Sequence, residues 1–300
     1  MTAKNRTFAP ADLAGIIPPA TTPFTVSGAV DLRAFRSELR FLLDAGVHGI
    51  AVGGSTGEGH TLNADESTQL VTTAVAAADG KAPVIAGIIV DSTQQAIDRG
   101  KAAAKAGASA LQITPVHYLF RPDDDHMLAH FRTVAEAVKL PIIIYNVVPW
   151  SYLSPELLIR IMRQVSGVVG VKQSAGDLKL FADLMLGAPK NARIFSAVDA
   201  LMYPSFSLGA HGAIAAILTA APTACVALWD AVAAGDHKSA LDLHRRLLVL
   251  WNAMIDDNLP AAVKFALTVH GIDGGAPRAP MPPASARQQK AIAAALKRLP

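Results

Sequence analysis

The run Val168-Val-Gly-Val-Lys172 leads four small or apolar residues into a lysine. In an apolar setting the ammonium form loses solvation, so the lysine's pKa falls and a neutral amine becomes available. A neutral amine attacks a ketone and forms a Schiff base. The alternative is a lysine whose stem packs on apolar surface while its head snorkels to solvent. A second run, Ile142-Ile-Ile-Tyr145-Asn146, ends in a phenol that could present its hydroxyl to the same region, or pack as an ordinary aromatic. A third ends in Gly53-Gly-Ser-Thr-Gly-Glu-Gly59. Backbone N–H groups exposed in such a turn, with the Ser55 and Thr56 hydroxyls, suit a small carboxylate. The plainer reading is a tight turn.

Other patterns carry less chemistry. Gly54 to Gly59 followed by His60-Thr61 approaches a phosphate loop, but His60 stands where the lysine is required. The dinucleotide fingerprint fails because Leu62 replaces its last glycine. His126 and His130 are spaced i, i+4 on a predicted helix, yet no Glu completes a zinc motif, and no metal or cofactor is expected. Asp256-Asp257 reads as a solvated turn. Cys225, the single cysteine, lies in the apolar stretch 222–229 and reads as a small buried hydrophobe.

These candidates need elements to position them. Short, nearly continuous apolar runs alternate with amphipathic Ala/Leu-rich segments. The runs are Gly15–Thr22, His48–Gly53, Pro83–Val90, Ala110–Thr114, Pro141–Val147, Val168–Lys172, Arg193–Val198 and Gly212–Leu218. Uninterrupted apolar strands are expected of parallel sheets covered on both faces. Helices are predicted over 31–45, 63–78, 92–106, 123–138, 155–163, 178–186 and 200–208. Several carry terminal signals: the capping box Asn63-Ala-Asp-Glu66, acids after Pro122, Ser154-Pro155-Glu156, and terminating glycines at Gly46 and Gly107. Eight β–α units predict an α/β fold of the (β/α)8 TIM-barrel type, ahead of an open doubly wound sheet. In such a barrel the chemistry sits at the C-terminal ends of the strands, where all three candidate runs end. Residues 222–300 read as a helical extension packed on the 1–221 barrel, a single structural unit with helices over 222–234, 238–254, 261–270 and 285–299.

The chain has 300 residues, 51% hydrophobic and 17% charged, which excludes a disordered protein. A net charge of +3 without a Lys/Arg run excludes a dedicated nucleic-acid surface. Lys4 and Arg6 precede no apolar signal core, so the expected compartment is the cytoplasm. The uncharged stretch 212–229 is split by Pro222, which favours a buried strand followed by a helix over a membrane span.

The strand-end motifs Gly54-Ser-Thr-Gly-Glu58, Tyr145-Asn146 and Val169-Gly-Val-Lys172, taken together, resemble the dihydrodipicolinate synthase / N-acetylneuraminate lyase family of class I pyruvate-dependent aldolases. Thr22-Pro23-Phe24, Thr114-Pro115, Leu208-Gly-Ala-His-Gly212 and Leu259-Pro-Ala-Ala-Val-Lys264 extend the similarity over roughly residues 13–298. The resemblance implies Lys172 as the Schiff-base lysine and Tyr145 as the acid/base. It implies Ser55 in a hydroxyl relay, and Thr56 with Gly54 and Ser55 around a 2-keto acid carboxylate. Ile214 and Trp150 are further substrate contacts. Tyr118 is a candidate relay tyrosine reaching across a subunit interface in a homo-oligomer, a dimer or tetramer. Pyruvate and an aldehyde are the implied partners.

The departures concern the second substrate. The family's lysine-pathway synthases carry an Arg shortly after the Tyr; here Asn146-Val-Val-Pro-Trp150-Ser-Tyr-Leu follows, and no Arg appears before Arg160. Trp150 makes that pocket bulkier and less cationic. Thr114-Pro-Val-His-Tyr-Leu-Phe120 shifts Tyr118, Gln173 replaces an acid, and Ala197-Val-Asp199 replaces Gly-x-Asp. The expectation is a pyruvate-type 2-keto acid lyase or aldolase. The rival readings are the lysine-pathway synthase itself, a 2-keto-3-deoxy sugar acid aldolase or dehydratase, a non-catalytic keto-acid sensor, and a metal-dependent class II aldolase.

Overall fold

The computed structural model describes residues 7–300; Lys4 and Arg6 lie outside the described residues. Eight parallel strands form one sheet: β1 Gly15–Ile16, β2 Ile50–Val52, β3 Val84–Ile88, β4 Ala110–Ile113, β5 Ile142–Asn146, β6 Val168–Gln173, β7 Arg193–Ser196 and β8 Gly212–Ala213. Their order is β1-β8-β7-β6-β5-β4-β3-β2. The barrel closes just past β1, where Pro19 bridges Ala51 and Ala20 donates its N–H to the Ala51 carbonyl at 2.8 Å.

Two of the predicted runs keep only two residues each as strand. The Gly15–Thr22 run stops at Ile16 because Pro18 and Pro19 have no N–H for the ladder. The Gly212–Leu218 run stops at Ala213, and Ile217–Ala220 is a helical turn instead. Its start is fixed by the Asp199 carboxylate, which accepts the Ile217 N–H at 2.6 Å. The predicted 200–208 helix divides into a 3-10 turn, Asp199–Leu201, and a helix, Met202–Ser207.

Strand parity sorts the side chains into two cores. Ile17, Ala51, Ile85, Ala110, Ile143, Phe195 and Ile214 fill the barrel interior. Ile142, Ile144 and Val171 face outward into the larger core under the helices. The helices begin at the predicted caps. Asn63 and Glu66 complete a reciprocal capping box, and Asp123 and Ser154 accept N–H bonds from their first turns. Gly46 and Gly107 end helices with φ of +80° and +94°, a conformation that suits glycine.

The C-terminal helices Pro222–Ala233, His237–Met254, Leu259–Val269 and Ala286–Leu296 pack on the barrel. Cys225 is fully buried, and burial pushes its thiol well above its ordinary range. Among the described residues no helix is long and apolar enough to cross a membrane, and no group of three His, Cys, Asp or Glu could hold a metal.

His130 lies on the buried face of the helix 124–138, with Nδ1 2.9 Å from the Thr93 hydroxyl and Nε2 buried without a partner. Burial pushes its pKa down to about 4. Between that value and the ordinary ~6.5 the unfolded chain binds the extra proton. The stability held at neutral pH is therefore lost as pH falls through this window, by about 3 kcal/mol. Urea unfolding at pH 7 and pH 5 is expected to show about 2 kcal/mol of that decline in the native chain and a shallower one in His130→Gln.

Candidate active site

Parity and one irregularity bring the reactive side chains together. Ile143 points inward, so Tyr145, two residues on, points inward too. A register shift between Ile142 and Ile143 sets Tyr145 directly beside Lys172 on the neighbouring strand. The Lys172 Nζ lies 3.7 Å from the centroid of the Tyr145 ring, and both side chains are buried. The Tyr145 hydroxyl donates to Ser55 Oγ at 3.0 Å. Three strand ends separated by many residues thus meet at one point.

The loop that carries Ser55 and Thr56 is folded tightly on itself. Gly59 donates its N–H to Gly54 O, and Thr22 Oγ1 donates to Gly57 O at 2.7 Å. A Cβ on Gly59 would collide with the backbone carbonyl of Gly53, so only glycine fits there. The turn ends at Glu58, which has a left-handed φ of 53° and a fully buried carboxylate. Lys264, from the C-terminal helix 259–269, donates to Glu58 Oε1 at 2.5 Å and to Ala276 O at 2.8 Å. The Arg278 N–H donates to Glu58 Oε2 at 2.8 Å. The Arg278 guanidinium binds Glu66, Thr61 O and Gly28 O, and both cations lie over the Phe24 ring. Burial lowers the Lys264 pKa, and the Glu58 charge opposes that shift.

Behind the reactive pair, Asn146 and Gln173 tie down the next two loops. Asn146 accepts the Leu153 N–H at 2.9 Å and donates to Leu153 O. Gln173 Oε1 accepts from Ala175 N at 3.0 Å and from Asn146. Gln173 therefore does positional work. Asp199 lies at the end of β7, with its pKa raised to about 6 by burial, against the opposing pull of the Ile217 N–H and the Lys172 charge.

All of this opens on a cavity of about 850 Å³. Ser55, Thr56, Tyr145, Lys172, Trp150 and Ile214 line it. Gly54 supports the loop from behind. Tyr118 does not line it: its side chain is 67% exposed, outside the mouth of its own barrel. Trp150 is fixed by its indole N–H, which donates to His117 O at 3.1 Å. Sequence reasoning missed Asp199, His60, His117, Trp251 and Met281 as cavity residues. It took Asp256-Asp257 as a solvated turn; both are exposed, and Asp257 also borders the cavity. Glu58 and Lys264 appeared only as parts of motifs. An acid between two glycines, and a lysine inside the apolar run 259–267, were the available signals.

The profile of the dihydrodipicolinate synthetase family matches residues 12–299. The chain belongs to this family. It is 34% identical over 288 residues to the 4-hydroxy-tetrahydrodipicolinate synthase of Methanopyrus kandleri, covering 95% of this chain and 96% of the relative. It is 36% identical over 273 residues to the enzyme of that name from Symbiobacterium thermophilum, covering 90% and 92%. A crystal structure of a dihydrodipicolinate synthase from Bacillus anthracis superposes with a TM-score of 0.90 at 27% identity, covering 96% of this chain and 98% of that one. The (β/α)8 barrel and the class I aldolase or lyase chemistry are those of the family.

Within this family fold, the buried ion pair makes a strong demand. Removing one partner of a buried pair leaves an uncompensated charge and costs about 3–5 kcal/mol. Lys264→Met is expected to lose about that much stability in urea unfolding. Adding Glu58→Gln should recover part of it, since the orphaned charge is then gone.

Proposed function

We propose that this chain is a Schiff-base-forming lyase that joins or cleaves a carbon–carbon bond between pyruvate, or another 2-keto acid, and an aldehyde. The observation that carries this reading is the buried Lys172 amine beside Tyr145, whose hydroxyl reaches Ser55 at 3.0 Å on the carboxylate-suited loop. In the proposed pose the keto acid's carboxylate meets the loop at Ser55 and Thr56. Its C2 faces Lys172.

The Lys172 amine attacks C2, and the carbonyl oxygen leaves as water by taking the proton of the Tyr145 phenol, which is left as a phenolate. The resulting iminium is an electron sink. A C3 proton passes to the Tyr145 oxygen, giving an enamine. C3 then bonds to the aldehyde carbon, and the aldehyde oxygen takes the proton back from Tyr145. Water hydrolyses the new imine and frees the lysine. Cleavage is the same sequence reversed. Ser55 takes part as the relay partner that orients the phenol. Ile214 and Trp150 are proposed wall contacts. A relay role for Tyr118 needs a second copy of the chain, because its own barrel turns it outward.

The names of the relatives favour a second reading, the condensation of pyruvate with aspartate semialdehyde. The loop after Tyr145 offers Val147, Val148 and Trp150 to the cavity rather than an arginine. The first reading therefore leaves the aldehyde open. We also propose a cytoplasmic homo-oligomer, a dimer or tetramer, in which residues 222–300 remain an extension of one catalytic unit. The exposed run Tyr118, Leu119 and Phe120 supports the oligomer.

Borohydride added with pyruvate is expected to leave a stable adduct on Lys172, read by intact and peptide mass spectrometry. Lys172→Ala should lose the adduct and at least about 10³-fold in turnover. Tyr145→Phe should keep the fold and lose about 10²- to 10³-fold in kcat. Full turnover in Lys172→Ala would overturn the proposal.

A further inference from the structure

The inner end of the cavity is polar, and its outer wall is not. Val147, Val148, Trp150, Trp251, Ile255 and Met281 line that wall. Among the described residues, the charged groups facing the cavity are Lys172, Asp199 and Asp257, with the imidazoles of His60 and His117. No guanidinium faces it. Arg278 borders the adjoining cavity and is fully engaged by Glu66, Thr61 O and Gly28 O. Arg160 is held by Asp125 at 2.6 Å, and Arg121 by Asp124 at 3.2 Å.

This distribution bears directly on the second substrate. Among the described residues Lys172 is the one lysine that lines the cavity, and it is bonded to the keto acid once the imine forms. The keto acid's own carboxylate occupies the loop donors. A second carboxylate would then sit against apolar side chains, near Asp257, without a guanidinium or a free ammonium to pair with. Burying an unpaired charge is strongly unfavourable. A neutral body gains by covering the same side chains. Trp150 and Trp251 both line the cavity, and indole surfaces favour a flat ring, which offers large contact area at little conformational cost. About 850 Å³ holds both a keto acid and such a ring, within the usual size of ligand sites.

We infer that the second substrate is an uncharged, apolar aldehyde, of the aryl class in particular, rather than a carboxylated semialdehyde or a polyhydroxylated sugar. The inference rests on the imine reading above and adds the specificity of the wall. The reaction joins C3 of the pyruvate enamine to the aryl aldehyde carbon. It leaves a 4-aryl-4-hydroxy-2-keto acid, with no oxidant, reductant or metal entering the balance.

The test uses the full chain with saturating pyruvate and four aldehydes: benzaldehyde, hexanal, succinic semialdehyde and glyceraldehyde. Product is quantified by mass spectrometry, and borohydride trapping on Lys172 runs in parallel. The expected result is an adduct together with a kcat/KM for benzaldehyde about 100-fold above that for succinic semialdehyde. Val147→Arg places a cation on the wall and should shift that ratio by about 10-fold or more toward the semialdehyde. An adduct with succinic semialdehyde or glyceraldehyde preferred overturns the specificity inference and leaves the imine reading standing. No adduct with pyruvate or longer 2-keto acids overturns both.

Discussion

The buried pair Glu58–Lys264 is the constraint on which the site's geometry depends. Two charges without solvent contact are stable only when each is matched, and here every oxygen of Glu58 has a donor. The pair spans 206 residues, joining the loop after β2 to the C-terminal extension. The carboxylate-suited loop is therefore clamped by residues from both halves of the chain. This explains why the extension is packed on the barrel rather than tethered to it. Nearby, Glu38 is bound at both oxygens by Thr21, and burial pushes its pKa up to about 7. A carboxyl that resists ionisation limits the negative charge around Lys264, so that cation is left to Glu58.

A second constraint comes from the sheet. Side chains alternate across a strand, so a register shift of one residue decides whether a group faces the barrel interior or the helices. The shift between β5 and β6 lets both Val171 and Ile144 stay outward while Lys172 and Tyr145 stand abreast inside. Gly170 sits at that point, where a Cβ would collide with the Arg193 carbonyl of β7. The Lys172–Tyr145 pair thus owes its spacing to backbone geometry, and the two side chains do not have to hold one another in place.

The repeating units were legible because each strand run is apolar and each helix carries a cap. Asn63, Asp123 and Ser154 start helices where the pattern put them. Lys172, Tyr145, Ser55 and Thr56 were legible because each ends an apolar strand, and the barrel brings strand ends together. What escaped was non-local. Nothing near Glu58 in sequence announces Lys264 or Arg278. Asp199 looked like a variant motif until its carboxylate was found capping the turn after β8. The shortened β1 and β8 escaped because apolar content alone does not distinguish a strand from a buried turn. Tyr118 was placed by motif similarity as a residue reaching across a subunit interface, and in the single chain it is exposed.

Chemistry and specificity occupy different structural layers in this chain. Lys172 and Tyr145 belong to strands, and their positions are fixed by the sheet. The outer wall comes from the loop after β5 and from the C-terminal segments around Trp251, Ile255 and Met281. None of the residues in that wall belongs to a strand or bonds to the Glu58–Lys264 pair. A barrel of this kind can therefore exchange one aldehyde partner for another while the imine machinery stays intact. Family membership accordingly constrains the floor of the cavity more tightly than its wall, and the partner has to be read from the residues that line the wall in this chain.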